Sequence, residues 1–417
     1  MTEHAQNGAA TRARPREAAA TQINTTPAPD PERAVLDRYA DASERVEPAL
    51  CCPTAGYRSD LLEVLPSEII EKDYGCGDPS VHVGDGETVI DLGSGGGKIC
   101  YMLSQVVGPE GRVIGVDFND AMLDLARRHQ LEIASKIGHD NVRFVKARIQ
   151  DMALDLDALA RWLADHPVTT IDGADALEAE RRRLRREAPA VSDGVADVVV
   201  SNCVLNLVAT EEKERLFGEI FRVLKKGGRA VISDIVCDET PPDSMRNDPE
   251  LWSGCISGAF REDEFLQRFE RAGFYGVEIL ERAAEPWQVV DGIEFRSMMV
   301  RAYRGGKEPC MEHRQAVVYR GPWKRVVDDD GHTLHRGRRE AVCDRTFRVL
   351  TDPEGPYAGH VIGIEPSEPV DPQEAAPFDC ARTVPRSPGE TKNGSGPSRV
   401  RGSAPRGDNA GACDGCC

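Results

Sequence analysis

The feature that most constrains this chain is a run of glycines joining an apolar segment to an amphipathic one, Asp91-Leu92-Gly93-Ser94-Gly95-Gly96-Gly97. Glycines are needed at such a junction when the backbone must pass close to a ligand and feed a helix N-terminus. The spacing excludes the two common nucleotide turns. A dinucleotide fingerprint needs G-x-G-x-x-G, and Lys98 stands where its last glycine belongs. A P-loop needs G-x-x-x-x-G-K-[ST], but Gly97-Lys98 is followed by Ile99 and no glycine lies five positions before Gly97.

What remains is an acid directly before the glycines, Asp91, and a second acid, Asp117, ending the next apolar run. That pair suits a ligand with a positive sulfonium, an amine and a ribose diol but no phosphates. Asp91 would lie near its amino-acid end, and Asp117 would accept both ribose hydroxyls.

The surrounding pattern is consistent. Val89–Leu92, Arg112–Asp117, Val142–Ala147, Asp197–Ser201 and Ala230–Asp234 read as strands. Helical segments run from the glycine turn to Val107, across Met122–Lys136 and across Glu211–Leu224, the last stopped by Gly227-Gly228. Near-continuous apolar strands alternating with amphipathic helices predict a parallel sheet covered on both faces. Glu262–Ala272, Gly276–Glu281 and Phe295–Tyr303 would complete it. Leu156, Leu159, Trp162 and Leu163, then Leu177 and Leu184, recur at helical spacing around the Asp165-His166-Pro167 break, which predicts an inserted helical hairpin. Ala316–Arg320 and Thr346–Val349, on either side of the Asp328-Asp329-Asp330-Gly331 turn, suggest a small antiparallel appendage.

The expected organisation is a disordered tail over 1–31, a main domain over 32–304 with a helical insertion at 151–193, a β-rich appendage over 305–360 and a disordered tail over 361–417. Residues 1–31 are rich in Ala, Thr, Pro, Asn and Arg and residues 366–412 in Pro, Gly, Ser and Arg, and both bury too little apolar surface to offset their ordering entropy. A net charge of -18 disfavours a nucleic-acid surface. The Arg181-Arg182-Arg183-Leu184-Arg185-Arg186 run reads as a solvated helix face balanced by Glu178, Glu180 and Glu187. No apolar leader and no run long enough to span a membrane is present, so the 13 cysteines read as thiols of a reducing cytoplasm.

The strand pattern with its two acids resembles class I S-adenosylmethionine-dependent methyltransferases, a doubly wound Rossmann-like fold. The resemblance extends the cofactor site to Gly93, Ser94, Gly95, Asn119, Met122, Asn202 and the segment Arg148, Ile149, Gln150 and Asp151 bordering the adenine. It tightens at four cysteine motifs: Ala49-Leu50-Cys51-Cys52-Pro53, Asp73-Tyr74-Gly75-Cys76-Gly77-Asp78, Ser201-Asn202-Cys203-Val204-Leu205-Asn206-Leu207 and Leu251-Trp252-Ser253-Gly254-Cys255-Ile256-Ser257-Gly258. These are similar to arsenite methyltransferases, particularly those associated with arsenosugar formation, over about residues 32–310. The substrate it implies is a small molecule, arsenite or its thiol complexes.

Arsenic(III) is soft and thiophilic, and three sulfurs leave one lone pair free to attack a methyl held in a dry pocket. Cys76, Cys203 and Cys255 are the expected arsenic ligands. Methylation takes arsenic formally to +5, and a thiol of Cys51 or Cys52 that attacks a ligand sulfur would return it to +3. An external reductant, glutathione or thioredoxin, would then recycle the enzyme. Cys100 and Cys237 read as buried apolar cysteines. The terminal Cys413, Cys416 and Cys417 fit two readings, arsenic capture by Cys416 and Cys417 or incidental tail thiols. Two rival functions stay open at this point: a methyltransferase acting on carbon or oxygen of a small organic molecule, and an arsenic-sequestering protein without turnover.

Overall fold

The computed structural model describes residues 31–47, 56–72, 74–306, 308–380, 386–392 and 399–401. Three short helices, α1 (Pro31–Glu44), α2 (Ser59–Leu62) and α3 (Ser67–Glu71), precede the sheet. The sheet then grows by strand–helix alternation: β1 (Thr88–Leu92), α4 (Lys98–Val107), β2 (Arg112–Asp117), α5 (Asp120–Ile137), β3 (Val142–Lys146), α6 (Leu156–Asp165), α7 (Ile171–Glu187), β4 (Ala196–Asn202), α8 (Lys213–Val223) and β5 (Leu224–Cys237). After α9 (Asp243–Arg246) and α10 (Pro249–Ser253) come β6 (Phe260–Arg261), α11 (Glu262–Ala272), β7 (Phe274–Arg282), β8 (Gln288–Val290) and β9 (Ile293–Arg304).

The strand order is β3-β2-β1-β4-β5-β9-β7, with β6 on β5 and β8 on β9. Strands β1 to β5 are mutually parallel. Successive side chains on a strand face opposite ways, so Ile90 and Val199 meet α8 and α11 while Val89, Val198 and Val200 meet α4 and α5. Helix α8 shows why the layer holds. Leu216, Phe217, Ile220 and Val223 fall on one helical stripe and are all fully buried, each contributing roughly 1.5–3 kcal/mol.

The all-parallel expectation is corrected at the far edge, where β9 runs antiparallel to both β5 and β7. No crossover helix separates β7 from β9, and such connections can only return a strand antiparallel. Asp291 and Gly292, both at positive φ (52° and 87°), close the β8–β9 hairpin in the two-residue turn that hairpin twist favours. A second correction concerns the end of α8. Leu224 is already extended and begins β5, so Gly227, at φ 76°, bends a strand rather than stopping a helix.

The inserted hairpin forms as α6 and α7, capped by Asp155 and Thr170, with Leu159 and Leu184 buried at its seam. The arginine run lies on α7 and pairs with Glu178, Glu180 and Glu187.

Beyond β9 a second, small sheet has the order β13-β10-β14-β15, from β10 (Gln315–Tyr319), β13 (Arg339–Val342), β14 (Val361–Glu365) and β15 (Arg399–Val400). The Asp328–Gly331 turn joins β11 (Arg325–Val327) to β12 (Thr333–His335). The segment expected as a strand at Thr346–Val349 is instead helix α12 (Asp344–Thr351), because Phe347 and Leu350, one turn apart, are the residues that pack on Val317 and Val342. Strand β14 pairs with β10 along Ala316–Tyr319, so ordered structure continues past residue 360, where a tail was expected. The short apolar run Val361-Ile362-Gly363-Ile364 is enough to cover an open sheet edge.

Candidate active site

The site lies at the carboxyl ends of β1 and β4, neighbours in the sheet from which the chain departs to opposite sides. This is the crevice in which doubly wound sheets bind ligands. The glycine turn takes the conformation its sequence requires: Gly93, Gly95 and Gly97 have φ of 64°, 50° and 87°. A Cβ on Gly93 would stand 2.4 Å from the Val204 side chain, so only glycine lets this turn pass the segment leaving β4.

Asp117 ends β2, and its Oδ2 accepts from the Gly95 amide at 2.9 Å while Oδ1 accepts from the Asn119 amide at 2.9 Å. Burial raises its pKa against these bonds. Asn119 caps α5 by accepting from the amides of Ala121 and Met122, which turns Met122 toward the pocket. Asp91 is buried and accepts from the Cys100 thiol at 3.2 Å. Gly93, Ser94, Gly95, Arg148 and Ile149 line the same pocket. The Ser94 hydroxyl is buried there without a hydrogen-bond partner among the described residues.

Two residues expected at the cofactor also hold neighbouring segments in place. The Asp151 carboxylate is held by Arg185 and Arg215, each at 2.7 Å, and ties the insertion and α8 to the sheet. Its neighbour Gln150 lines the pocket instead and donates to Glu32 at 3.0 Å. Asn202 borders the pocket, but its amide grips the Cys76 loop. It accepts from the Cys76 and Gly77 amides (2.6 and 3.0 Å) and donates to the Gly77 carbonyl and the Tyr57 hydroxyl (2.7 and 3.1 Å). The sequence reading also missed α1, whose Glu32, Val35 and Tyr39 form one wall of the pocket. Glu32 pairs with Arg148, and Arg38 donates to Ser253 Oγ at 3.0 Å, so α1 clasps both sides of the cleft.

Cys76, Cys203 and Cys255 meet in one apolar cluster with Val35, Ile235, Trp252 and Phe295, and all three are buried. Cys203 and Cys255 both hold left-handed backbone, φ 61° and 63°. For a non-glycine residue that conformation costs on the order of 1–3 kcal/mol and persists only where the surroundings impose it. Here the Cys203 amide donates to the Ser233 carbonyl at 2.8 Å, and Asp234 accepts from the Leu205 and Asn206 amides, pinning the turn. The Cys255 thiol donates to the Cys203 carbonyl at 3.4 Å. Burial, and then the charge of Cys255 and a hydrogen bond to it, hold the Tyr39 hydroxyl well above its usual pKa.

The expectation of three separate thiols is corrected: Cys76 and Cys203 are joined as a disulfide across 127 residues of sequence. The Asn202 clamp on one loop and the strained turn of the other bring their Cα atoms to 5.8 Å, within the range a disulfide needs. Cys51, Cys52, Cys413, Cys416 and Cys417 lie outside the described residues. Cys100 and Cys237 are buried, and burial pushes the Cys237 thiol up to about 12.

Asp234 is a further residue that sequence reading passed over. Burial pushes its carboxyl up to about 7, and burial holds Lys213, whose charge favours ionised Asp234, down to about 8. The signal was an acid inside the largely apolar run Ala230–Cys237.

The crevice, the glycine cradle, the two acids and the orphaned Ser94 hydroxyl fit S-adenosylmethionine, and they define a class I methyltransferase. Residues 84–165 and 173–273 match the model of a methyltransferase domain, and residues 306–396 match that of a domain of unknown function. The chain is 31% identical over 327 residues to an arsenite methyltransferase of Aquipseudomonas alcaligenes, covering 74% of this chain and 84% of that one. It is 27% identical to the arsenite methyltransferase of Mus musculus, covering 76% and 77%. The crystal structure of an arsenic(III) S-adenosylmethionine methyltransferase from Chlamydomonas reinhardtii aligns with a TM-score of 0.50 at 26% identity, over 79% of this chain and 100% of that one.

The chain belongs to the arsenite methyltransferases. It is an enzyme that methylates arsenic with S-adenosylmethionine, and the readings as a carbon or oxygen methyltransferase or as a non-catalytic scavenger give way. Among the described residues no helix is long and apolar enough to cross a membrane.

Proposed function

We propose that Cys76, Cys203 and Cys255, once reduced, bind arsenic(III) as three thiolates beside the cofactor crevice. The observation that carries this reading is their convergence in one buried apolar cluster, with two of them held in left-handed backbone. Sulfur ligands suit soft arsenic, and a three-sulfur pyramid leaves its lone pair free. S-adenosylmethionine supplies the electrophilic methyl group. Asp91, Ser94, Asp117, Met122, Arg148 and Ile149 hold it, while α1 and the apolar cluster keep water out.

The disulfide between Cys76 and Cys203 is the resting oxidised form, and two electrons from an external thiol, glutathione or thioredoxin, open it to the ligand pair. Methylation leaves arsenic at +5. A thiolate of Cys51 or Cys52 attacks one ligand sulfur, the new disulfide forms, and the As–S bonding pair returns to arsenic, restoring +3. This cycle suits a reducing compartment such as the cytoplasm.

The test is turnover of arsenite by Cys76→Ser, Cys203→Ser and Cys255→Ser proteins under reducing conditions. Serine keeps the volume but offers a hard oxygen, so each should lose methylation while its far-ultraviolet circular dichroism stays that of the native chain. A variant that turns over at the native rate removes its residue from the ligand set.

A further inference from the structure

Three cysteines that the catalytic cluster does not use come together in the small C-terminal sheet domain. Cys310 lies between β9 and β10, Cys343 caps α12, and Cys380 follows β14. Their sulfur atoms all lie within 4.8 Å of one another. Backbone bonds fix this meeting independently of any bound group. The Phe378 amide donates to the Cys310 carbonyl at 2.8 Å, the Glu312 amide to the Ala376 carbonyl at 2.8 Å, and the Asp344 amide to the Met311 carbonyl at 3.0 Å.

Cys343 is fully buried, whereas Cys310 and Cys380 are half-buried, so the group has a closed floor and an open mouth. The Cys343 sulfur accepts from the Thr346 amide at 3.4 Å and meets its hydroxyl at 3.2 Å at the start of α12. Three sulfurs within reach of one another, one buried and two half-exposed, form a donor set suited to a soft ion.

We propose that Cys310, Cys343 and Cys380 form a second site for trivalent arsenic, separate from the catalytic cysteines. Binding exchanges three As–O bonds of arsenous acid for three As–S bonds; the three thiol protons leave as three waters, and no electrons are transferred. The number of donors selects the ligand. Structural zinc takes four protein ligands, and the group among the described residues contains these three thiols and no histidine or carboxylate. Arsenic(III) needs three sulfurs and keeps a lone pair at the fourth position. Two half-exposed sulfurs let arsenic enter and leave, which suits a site that takes up substrate rather than one that only staples the fold. The choice of arsenic rests on the family's substrate, and it does not depend on the roles given to Cys76, Cys203 and Cys255.

The experiment is alkylation of the reduced full-length chain by iodoacetamide, with and without arsenite, with each cysteine read by peptide mass spectrometry. Arsenite should slow alkylation of Cys310 and Cys380 together by tenfold or more. Cys343→Ser should abolish that protection at both while leaving arsenite protection at Cys76, Cys203 and Cys255. Should Cys343→Ser disturb α12, seen as a lowered melting temperature, Cys380→Ser read at Cys310 serves the same purpose. Equal rates with and without arsenite overturn the proposal, as does protection that survives either serine variant. Protection by zinc where arsenite gives none overturns it too. Loss of protection confined to the catalytic three would refute their assignment and leave this one standing.

Discussion

Asn202→Ala separates the role the structure assigns to this residue from the one its motif suggests. Its side chain makes four hydrogen bonds, two of them from the adjacent Cys76 and Gly77 amides. A Cβ on Gly75 would stand 2.1 Å from Asn202 Nδ2, so the loop is moulded to this amide. Each bond is worth about 0.5–1.5 kcal/mol net, and leaving partly buried amides unpaired costs more. Water reaching the opened loop recovers part of that, so about 2–3 kcal/mol of loop order is lost. If arsenic binding needs the ordered loop, its affinity falls roughly 30- to 150-fold.

The hydrogen bonds of Asn202 go to the Cys76 loop and to Tyr57, so cofactor affinity should stay within about threefold. Isothermal titration with S-adenosylmethionine, and arsenite titration of the reduced protein followed by tryptophan fluorescence, measure the two separately; Trp252 lies in the thiol cluster. A tenfold loss of cofactor affinity with arsenite binding intact would refute the reasoning.

Other outcomes follow from the same contacts. Asp117→Ala removes a charged acceptor whose hydrogen bonds are worth roughly 1.5–3 kcal/mol each, so calorimetry should show a large loss of cofactor affinity with arsenite binding retained. Asp234 gives a pH dependence. Its folded pKa, about 7, lies above the unfolded value of about 3.9, so between these limits the folded state binds the extra proton. Stability from urea titrations should therefore fall as pH rises from about 4 to 7, and Asp234→Asn should flatten that slope. The Cys51→Ser/Cys52→Ser double variant should lose methylation of arsenite yet methylate a monomethylated trivalent arsenical, which already has one As–C bond. Normal turnover of arsenite by that variant would move the disulfide step to other residues.

Much of the fold was legible because its signals are local. Strands β1 and β2 are short apolar runs that stop at Gly93 and Asp117, and the glycine turn admits few ligands. The α6–α7 hairpin declared itself through leucine spacing and the Asp165-His166-Pro167 break. Strand direction at β9 was read less well, although the Asp291-Gly292 pair that dictates it is a recognised hairpin signal. Thr346–Val349 was misread because two apolar residues a turn apart cannot separate helix from strand over so short a span.

At the site, the glycines, Asp117 and the three cysteine motifs were readable. The partners that position them were not. Glu32 on Arg148, Tyr39 on Cys255 and Asn202 on the Cys76 loop are contacts between segments far apart in the chain. The Cys310, Cys343 and Cys380 group was invisible for the same reason: no short spacing marks it, and only the closing of the second sheet assembles it.

The most direct test of the account is arsenic speciation as a function of the redox state of the Cys76–Cys203 pair. Protein with that disulfide intact, and the same protein after reduction and removal of the reductant, are each given arsenite and S-adenosylmethionine. Products from a single turnover are identified by liquid chromatography and mass spectrometry. The account predicts methylated arsenic from the reduced protein and none from the oxidised one. Equal yields from both would contradict it, because a bonded Cys76 and Cys203 have no thiolates to offer arsenic.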